Sequence, residues 1–202
     1  MVSNGPVNAD ADAGLMMRVR RDDMEAFAEL VARYQRPVTA LAYRYLGDET
    51  EAEDLAQEAF LRVFRSRGRY EPRAKFSTWL YRIVVNVCLN TIRARKSRPL
   101  AAAGAGGGGD NGRVPEVVDA DGPPPEASLE RHEMTEFVKE AVDALPEKQR
   151  LAILMNKYQD MSYQEIADAM GMSTMAVKSL LTRARVNIRN RLMPYLRDGR
   201  KR

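Results

Sequence analysis

The chain has 202 residues, 45% hydrophobic and 30% charged, with a formal net charge of +4, enough to bury one core or two small cores joined by a linker. A single cysteine, Cys88, excludes an internal disulfide framework, and a single histidine, His132, leaves too few soft ligands for an ordinary zinc site. No basic start is followed by an apolar leader, and no apolar run approaches the ~20 residues that span a bilayer; the expectation is a cytoplasmic protein without cofactor, metal or membrane insertion.

Val, Ile and Thr never alternate with polar residues over a strand's length, whereas apolar residues recur at helical spacing, which predicts an all-α fold. Residues 1–15 read as a disordered N-terminal tail, and 16–98 as a helical bundle domain. Within it, Phe27, Leu30, Val31 and Tyr34 line one face of a helix that Asp22 or Asp23 can cap, and a second helix follows Pro37. Gly47 ends that helix, and Asp48 with Glu51 makes a capping-box pattern before "EAEDLAQEAFLRVF". The last long helix starts near Ser77 and turns Leu80, Val84, Val87 and either Cys88 or Thr91 inward.

Residues 99–127 hold seven of the 13 glycines and five of the 10 prolines, a composition that cannot repay ordering entropy by packing, so they read as a flexible linker. Residues 128–196 form the second domain, in which Pro146 separates two helices. Ser162 and Glu165 open a further helix with Ile166, Ala167 and Met170 inward. Gly171 makes the turn, and Ser173 or Thr174 caps a helix burying Val177, Leu181, Ala184 and Ile188. This is a helix-turn-helix pattern, followed by a basic tail at 197–202.

That pattern turns Thr174, Met175, Lys178, Ser179, Thr182 and Arg183 outward, where cations and hydroxyls reach base edges or phosphates in a major groove. From Lys178 onward nine cations (Lys178, Arg183, Arg185, Arg189, Arg191, Arg197, Arg200, Lys201, Arg202) face one acid, Asp198, which suits a polyanion. The plain alternative is a solvated basic face. In the first domain, Lys75 and several arginines interleave with Tyr70, Phe76 and Trp79, a mixture suited to single-stranded DNA. Arg82, Asn86, Asn90 and Arg93, spaced four, four and three apart, make one polar stripe opposite the apolar one. No glycine-rich phosphate loop and no nucleophile-base set is present, so an enzyme is not expected. On these residues alone a stand-alone helix-turn-helix regulator remains open.

Three stretches, "EAEDLAQEAFLRVF", "KFSTWLYRIVVNVCLNTIRARKSR" and "LPEKQRLAILMNKYQDMSYQEIADAMGMSTMAVKSLLTRARVNIRNRL", taken in this order across a linker, resemble the bacterial RNA polymerase sigma factors of the two-domain extracytoplasmic-function group. The resemblance implies a non-catalytic subunit that directs core RNA polymerase to promoters and assists melting. It implies that Asp54, Gln57, Glu58 and Leu61 dock on the polymerase. It implies that Tyr70, Lys75, Phe76, Trp79, Arg82, Asn86, Asn90 and Arg93 engage the minus-ten element, with a flipped base held by the loop 67–76. The helix-turn-helix then reads the minus-thirty-five element, where the family often has arginine at the position of Leu180. The acidic linker, with Asp110, Glu116, Asp119, Asp121 and Glu126, is implied to thread toward the RNA path, and an anti-sigma factor is a further implied partner.

Overall fold

The computed structural model describes residues 7–97 and 125–198, and among these all regular structure is helical. The first domain consists of α1 (Val7–Val19), α2 (Met24–Leu46), α3 (Glu49–Arg65), a 3-10 turn at Arg67–Arg69 and α4 (Phe76–Ser97). The second consists of α5 (Pro125–Asp143), α6 (Glu147–Tyr158), α7 (Tyr163–Met170) and α8 (Thr174–Asp198). The segment expected to be a linker therefore lies mostly outside the described residues, its last three positions belonging to α5, as do the final four residues of the basic tail.

Two expectations fail. The tail expected over residues 1–15 is helical from Val7, and α1 packs on α2 through Leu15, Met16 and Val19. It is fastened by Asp12, a buried carboxylate that accepts from Tyr34 Oη at 2.5 Å and pairs with Arg33. Burial and then this carboxylate push the Tyr34 hydroxyl far above its ordinary pKa. Nor does Pro37 divide two helices: α2 runs through it. An interior proline costs about 3 kcal/mol of helix propensity, and the buried row Leu30, Val38, Leu41, Ala42 and Tyr45 supplies the packing that overrides it.

Local signals hold where they are self-contained. Asp23 caps α2 through Ala26 N, and Asp48 caps α3 through Glu51 N at 2.8 Å. The Ala26 amide, then Arg18, holds the Asp23 carboxyl below the usual range. Gly47 ends α2 in the left-handed region at φ 77°, where a side chain would be strained.

The two domains do not stand apart. Helix α4 packs along α7 and α2 along α6, so buried residues of both domains merge into one continuous core. Arg150 of α6 reaches the C-terminus of α2, donating through Nη2 to the Arg44 carbonyl at 2.9 Å beside the Tyr45 ring. The last carbonyls of a helix lack partners within it, and here two arginines serve them: Arg150 at Arg44, and Arg95 of α4 at Leu46, 3.4 Å away. Each places a cation at the negative end of the α2 dipole.

Candidate nucleic-acid and polymerase interfaces

Helix α3 buries Leu55, Ala59 and Val63 and so leaves its opposite side to solvent. Asp54 and Gln57 are exposed there, and Leu61 is a large apolar side chain left 50% exposed beside them. Glu58 is half-buried because Arg62, one turn on, holds it at 2.7 Å. The four positions form a single stripe, acidic and amide groups around one apolar contact.

On α4 the inward set Leu80, Val84, Val87 and Cys88 is buried, while Thr91 is only partly covered and returns its hydroxyl to the Val87 carbonyl. Opposite, Arg82, Asn86, Asn90 and Arg93 are all exposed, with Arg93 donating to Asn90 at 3.4 Å. Three arginines extend this surface beyond what the spacing on α4 reveals. Arg62 and Arg65 from the end of α3 and Arg69 from the 3-10 turn join Ser66, Ile83 and Asn86 around a groove of about 440 Å³. Arg65 and Arg69 are legible in the sequence only as part of a general excess of cations, and Arg62 not at all, because convergence on Asn86 depends on how α3 crosses α4.

The aromatic group needs correction. Tyr70 and Phe76, expected to meet DNA, are both wholly buried. Phe76 opens α4 with its ring turned inward against Tyr34 (5.3 Å) and Tyr70 (6.2 Å). The Tyr70 carbonyl is held by Arg20 of the turn after α1, and its hydroxyl has no partner among the described residues. Trp79 packs edge-on to Tyr70 at 5.0 Å and is half-buried, so it alone of the three presents ring surface to solvent. Lys75 is exposed but engaged, 2.7 Å from Glu165 of α7.

In the helix-turn-helix, the Ser162–Glu165 capping box is closed in both directions, and Gly171 takes φ 64° at the turn. Ser173, rather than Thr174, caps α8 by accepting from Ala176 N. Val177, Leu181 and Ala184 are buried and Ile188 partly so; on the first helix Ala169 is buried where Met170 is only partly covered. Thr174, Met175, Lys178, Ser179, Thr182 and Arg183 are exposed, Met175 to 75%. Thr182 donates to the Lys178 carbonyl and Thr174 to Gln164, which leaves both hydroxyl oxygens free to accept. Leu180 packs half-buried against the core. Burial works to raise the Glu165 carboxyl, but Lys75 and the capping hydrogen bonds prevail and lower it.

Two known families match the two domains in chain order. The Sigma-70 region 2 family matches residues 30–98, and the Sigma-70 region 4 family residues 138–188. The ECF RNA polymerase sigma-E factor of Escherichia coli K12 is 34% identical over 190 residues, spanning 92% of this chain and 96% of its own length. This chain belongs to the ECF RNA polymerase sigma factors. The RNA polymerase sigma-H factor of Pseudomonas aeruginosa is likewise 34% identical, over 94% of this chain and 98% of its own length. Among solved structures, CnrH in complex with the cytosolic domain of CnrY shares the fold, with a TM-score of 0.66 at 23% identity over 92% of this chain and 99% of its own. RpoE of Bartonella quintana, solved with the anti-sigma factor NepR, does so at 0.63 and 20%, over 83% of this chain and 96% of its own. As a sigma factor the protein directs transcription initiation and has no catalysis of its own; the stand-alone regulator is set aside. Among the described residues no helix is long and apolar enough to cross a membrane.

Proposed function

We propose that this sigma factor divides promoter recognition between α4 and α8 while α3 holds core RNA polymerase. The observation carrying this reading is the solvent-facing stripe Arg82, Asn86, Asn90 and Arg93 beside a groove lined by Arg62, Arg65 and Arg69. Amides and guanidinium groups bond base edges and phosphates, and an opened strand offers those edges without a groove to enter. Trp79 supplies the stacking surface, supported from beneath by Tyr70 and Phe76, and Lys75 supplies a phosphate contact.

Melting then needs no chemistry. Unstacking costs a few kcal/mol per base, and stacking on an aromatic platform in a basic groove returns about 1–3 kcal/mol per base. The helix-turn-helix anchors the duplex at the minus-thirty-five element through Thr174, Met175, Lys178, Ser179, Thr182 and Arg183, and Asp54, Gln57, Glu58 and Leu61 bind the polymerase. An anti-sigma factor is a further partner in this reading, since RpoE of Bartonella quintana was solved with the anti-sigma factor NepR.

Run-off transcription tests the whole. Core polymerase with this chain is expected to yield promoter-dependent product, and core alone none; no product in the complete reaction removes the proposal. Within the helix-turn-helix, Lys178→Ala or Arg183→Ala is expected to weaken promoter binding. Loss of a phosphate contact lowers affinity uniformly over sequences and flattens the salt slope by about one unit, whereas loss of a base contact costs about 1–3 kcal/mol at one pair. Unchanged affinity in both variants would remove these side chains from the interface.

A further inference from the structure

Going beyond the functional reading but resting on it, we propose that the turn between α1 and α2 is a clamp on the minus-ten groove. Asp22 and Arg20 are positioning residues that hold the 3-10 turn Arg67–Arg69, keeping Arg69 in the groove and the Tyr70 ring under Trp79.

The starting observation is a carboxylate where the backbone asks for glycine. Helix α1 ends with Asp23 N donating to the Arg18 carbonyl at 3.3 Å and Asp22 N to the Val19 carbonyl at 2.9 Å, a closure that puts position 22 in the left-handed region. Asp22 adopts φ 67° there, whereas the ends of α2 and α7 use Gly47 and Gly171. Left-handed backbone is unfavourable for a residue with a Cβ. What the side chain adds over glycine is a contact 45 positions away. The Arg67 guanidinium donates to Asp22 Oδ1 through Nε at 2.9 Å and Nη2 at 2.6 Å, and to the Phe64 carbonyl through Nη1 at 3.0 Å, while lying 4.1 Å from the centre of the Phe64 ring. Each of its three nitrogens is engaged within the protein, so Arg67 is a strut rather than a DNA contact.

The α1–α2 turn grips both ends of this short element. Arg67 opens the 3-10 turn and Tyr70 closes it, the Tyr70 amide donating to the Arg67 carbonyl at 3.1 Å and the Tyr70 carbonyl accepting from Arg20 Nη1 at 3.3 Å. Between these points lie Gly68 and Arg69, both exposed. A 3-10 turn of three residues has weak hydrogen-bond geometry, and this one contains a glycine and has no buried residue, so its position is fixed from outside. Arg69 reaches from it into the groove it shares with Arg62, Arg65 and Asn86, and the Tyr70 ring meets Trp79 edge-on at 5.0 Å. Neither Arg20 nor Asp22 lines the groove. The cation and the stacking ring that the promoter reading assigns to the strand are thus both set by residues standing outside it.

The sign of one effect decides the matter. The Asp22 side chain is 72% exposed, so electrostatics alone predicts that deleting this anion tightens binding to a polyanion; the clamp predicts the opposite. Full-length variants are assembled with core polymerase and titrated, by fluorescence anisotropy, against a labelled single strand carrying the minus-ten element of a promoter active in run-off transcription. Asp22→Gly, which suits the left-handed backbone, is expected to weaken strand binding at least about threefold, because apparent affinity scales with the fraction of chains whose turn is in place. The urea midpoint of the free chain should not fall. Asp22→Asn, which keeps an acceptor for Arg67 without the charge, should lie between, and it supplies the readout if Asp22→Gly does lower the midpoint. Since Asp22 acts through Arg69, adding Asp22→Gly to Arg69→Ala should cost little beyond Arg69→Ala alone. In the free chain, hydrogen exchange at the Arg69 and Tyr70 amides should accelerate in Asp22→Gly while the amides of α4 keep their protection. Strand binding that is unchanged or tighter in both Asp22 variants, losses that simply add to that of Arg69→Ala, or unchanged exchange at the two amides overturns the clamp. Failure of the underlying reading looks different: if Arg69→Ala binds the strand as well as the unmodified chain does, the groove is not the strand's site, and the clamp loses its role on DNA even where exchange shows it holding the turn.

Discussion

Leu61→Asp is expected to weaken association with core RNA polymerase by at least tenfold while leaving the chain as stable as before. Leu61 is half exposed on α3 with Asp54, Gln57 and Glu58 around it, the arrangement of an apolar anchor inside a polar rim. Full burial of a leucine is worth about 1.5–3 kcal/mol, so covering the exposed half of Leu61 is worth about 1 kcal/mol, and an unpaired carboxylate in its place adds a desolvation cost of at least about 1 kcal/mol; since about 1.4 kcal/mol is tenfold in affinity, the two together exceed tenfold. Free-chain stability should move by no more than about 0.5 kcal/mol, because the side chain fills no part of the core. Leu61→Met should retain binding. Titration of labelled core polymerase reads the affinity and urea unfolding reads the stability. Unchanged polymerase affinity in Leu61→Asp would show that α3 presents a merely solvated face.

How much of this was legible in the sequence depends on how local each signal is. The Ser162–Glu165 box, the Gly171 turn and the Asp48 cap are closed within three or four residues, so spacing alone reveals them. The α3 and α4 stripes follow from helical period once the inward residues are recognised. What the sequence hides is contact between distant segments. Helix α1 is stabilised by Arg33 and Tyr34, more than twenty positions away, and its own Ala- and Asp-rich start looks like a tail. Pro37 reads as a break because the packing that carries α2 through it comes from elsewhere. Composition sets 99–127 apart from its flanks, yet says nothing of Arg150 or Gln159 bridging the domains on either side. The aromatic and cationic loop was the least legible part: the same residues suit a DNA platform or a core, and only burial tells Trp79 from Tyr70 and Phe76.

That distinction yields the other large effect. Phe76→Ala should destabilise the chain by about 3–5 kcal/mol, the range for deleting a buried aromatic ring, because Phe76 touches Tyr34, Tyr70 and Trp79 and is fully enclosed. Such a loss is a large share of ordinary domain stability, about 5–15 kcal/mol. Tyr70→Phe should do the reverse: its hydroxyl is buried without a partner among the described residues, so removing it should be neutral or stabilise by up to about 1 kcal/mol. Trp79→Ala, at a half-buried site, should cost less stability than Phe76→Ala and more promoter opening. Urea unfolding of the free chain reads stability, and fluorescence of 2-aminopurine in the minus-ten strand, with core polymerase present, reads opening. If Tyr70→Phe abolished opening at unchanged stability, the Tyr70 hydroxyl would have to leave the core and meet DNA in the open complex. Loop 67–76 would then rearrange on binding, and Tyr70 would belong to the stacking surface rather than to the layer that supports it.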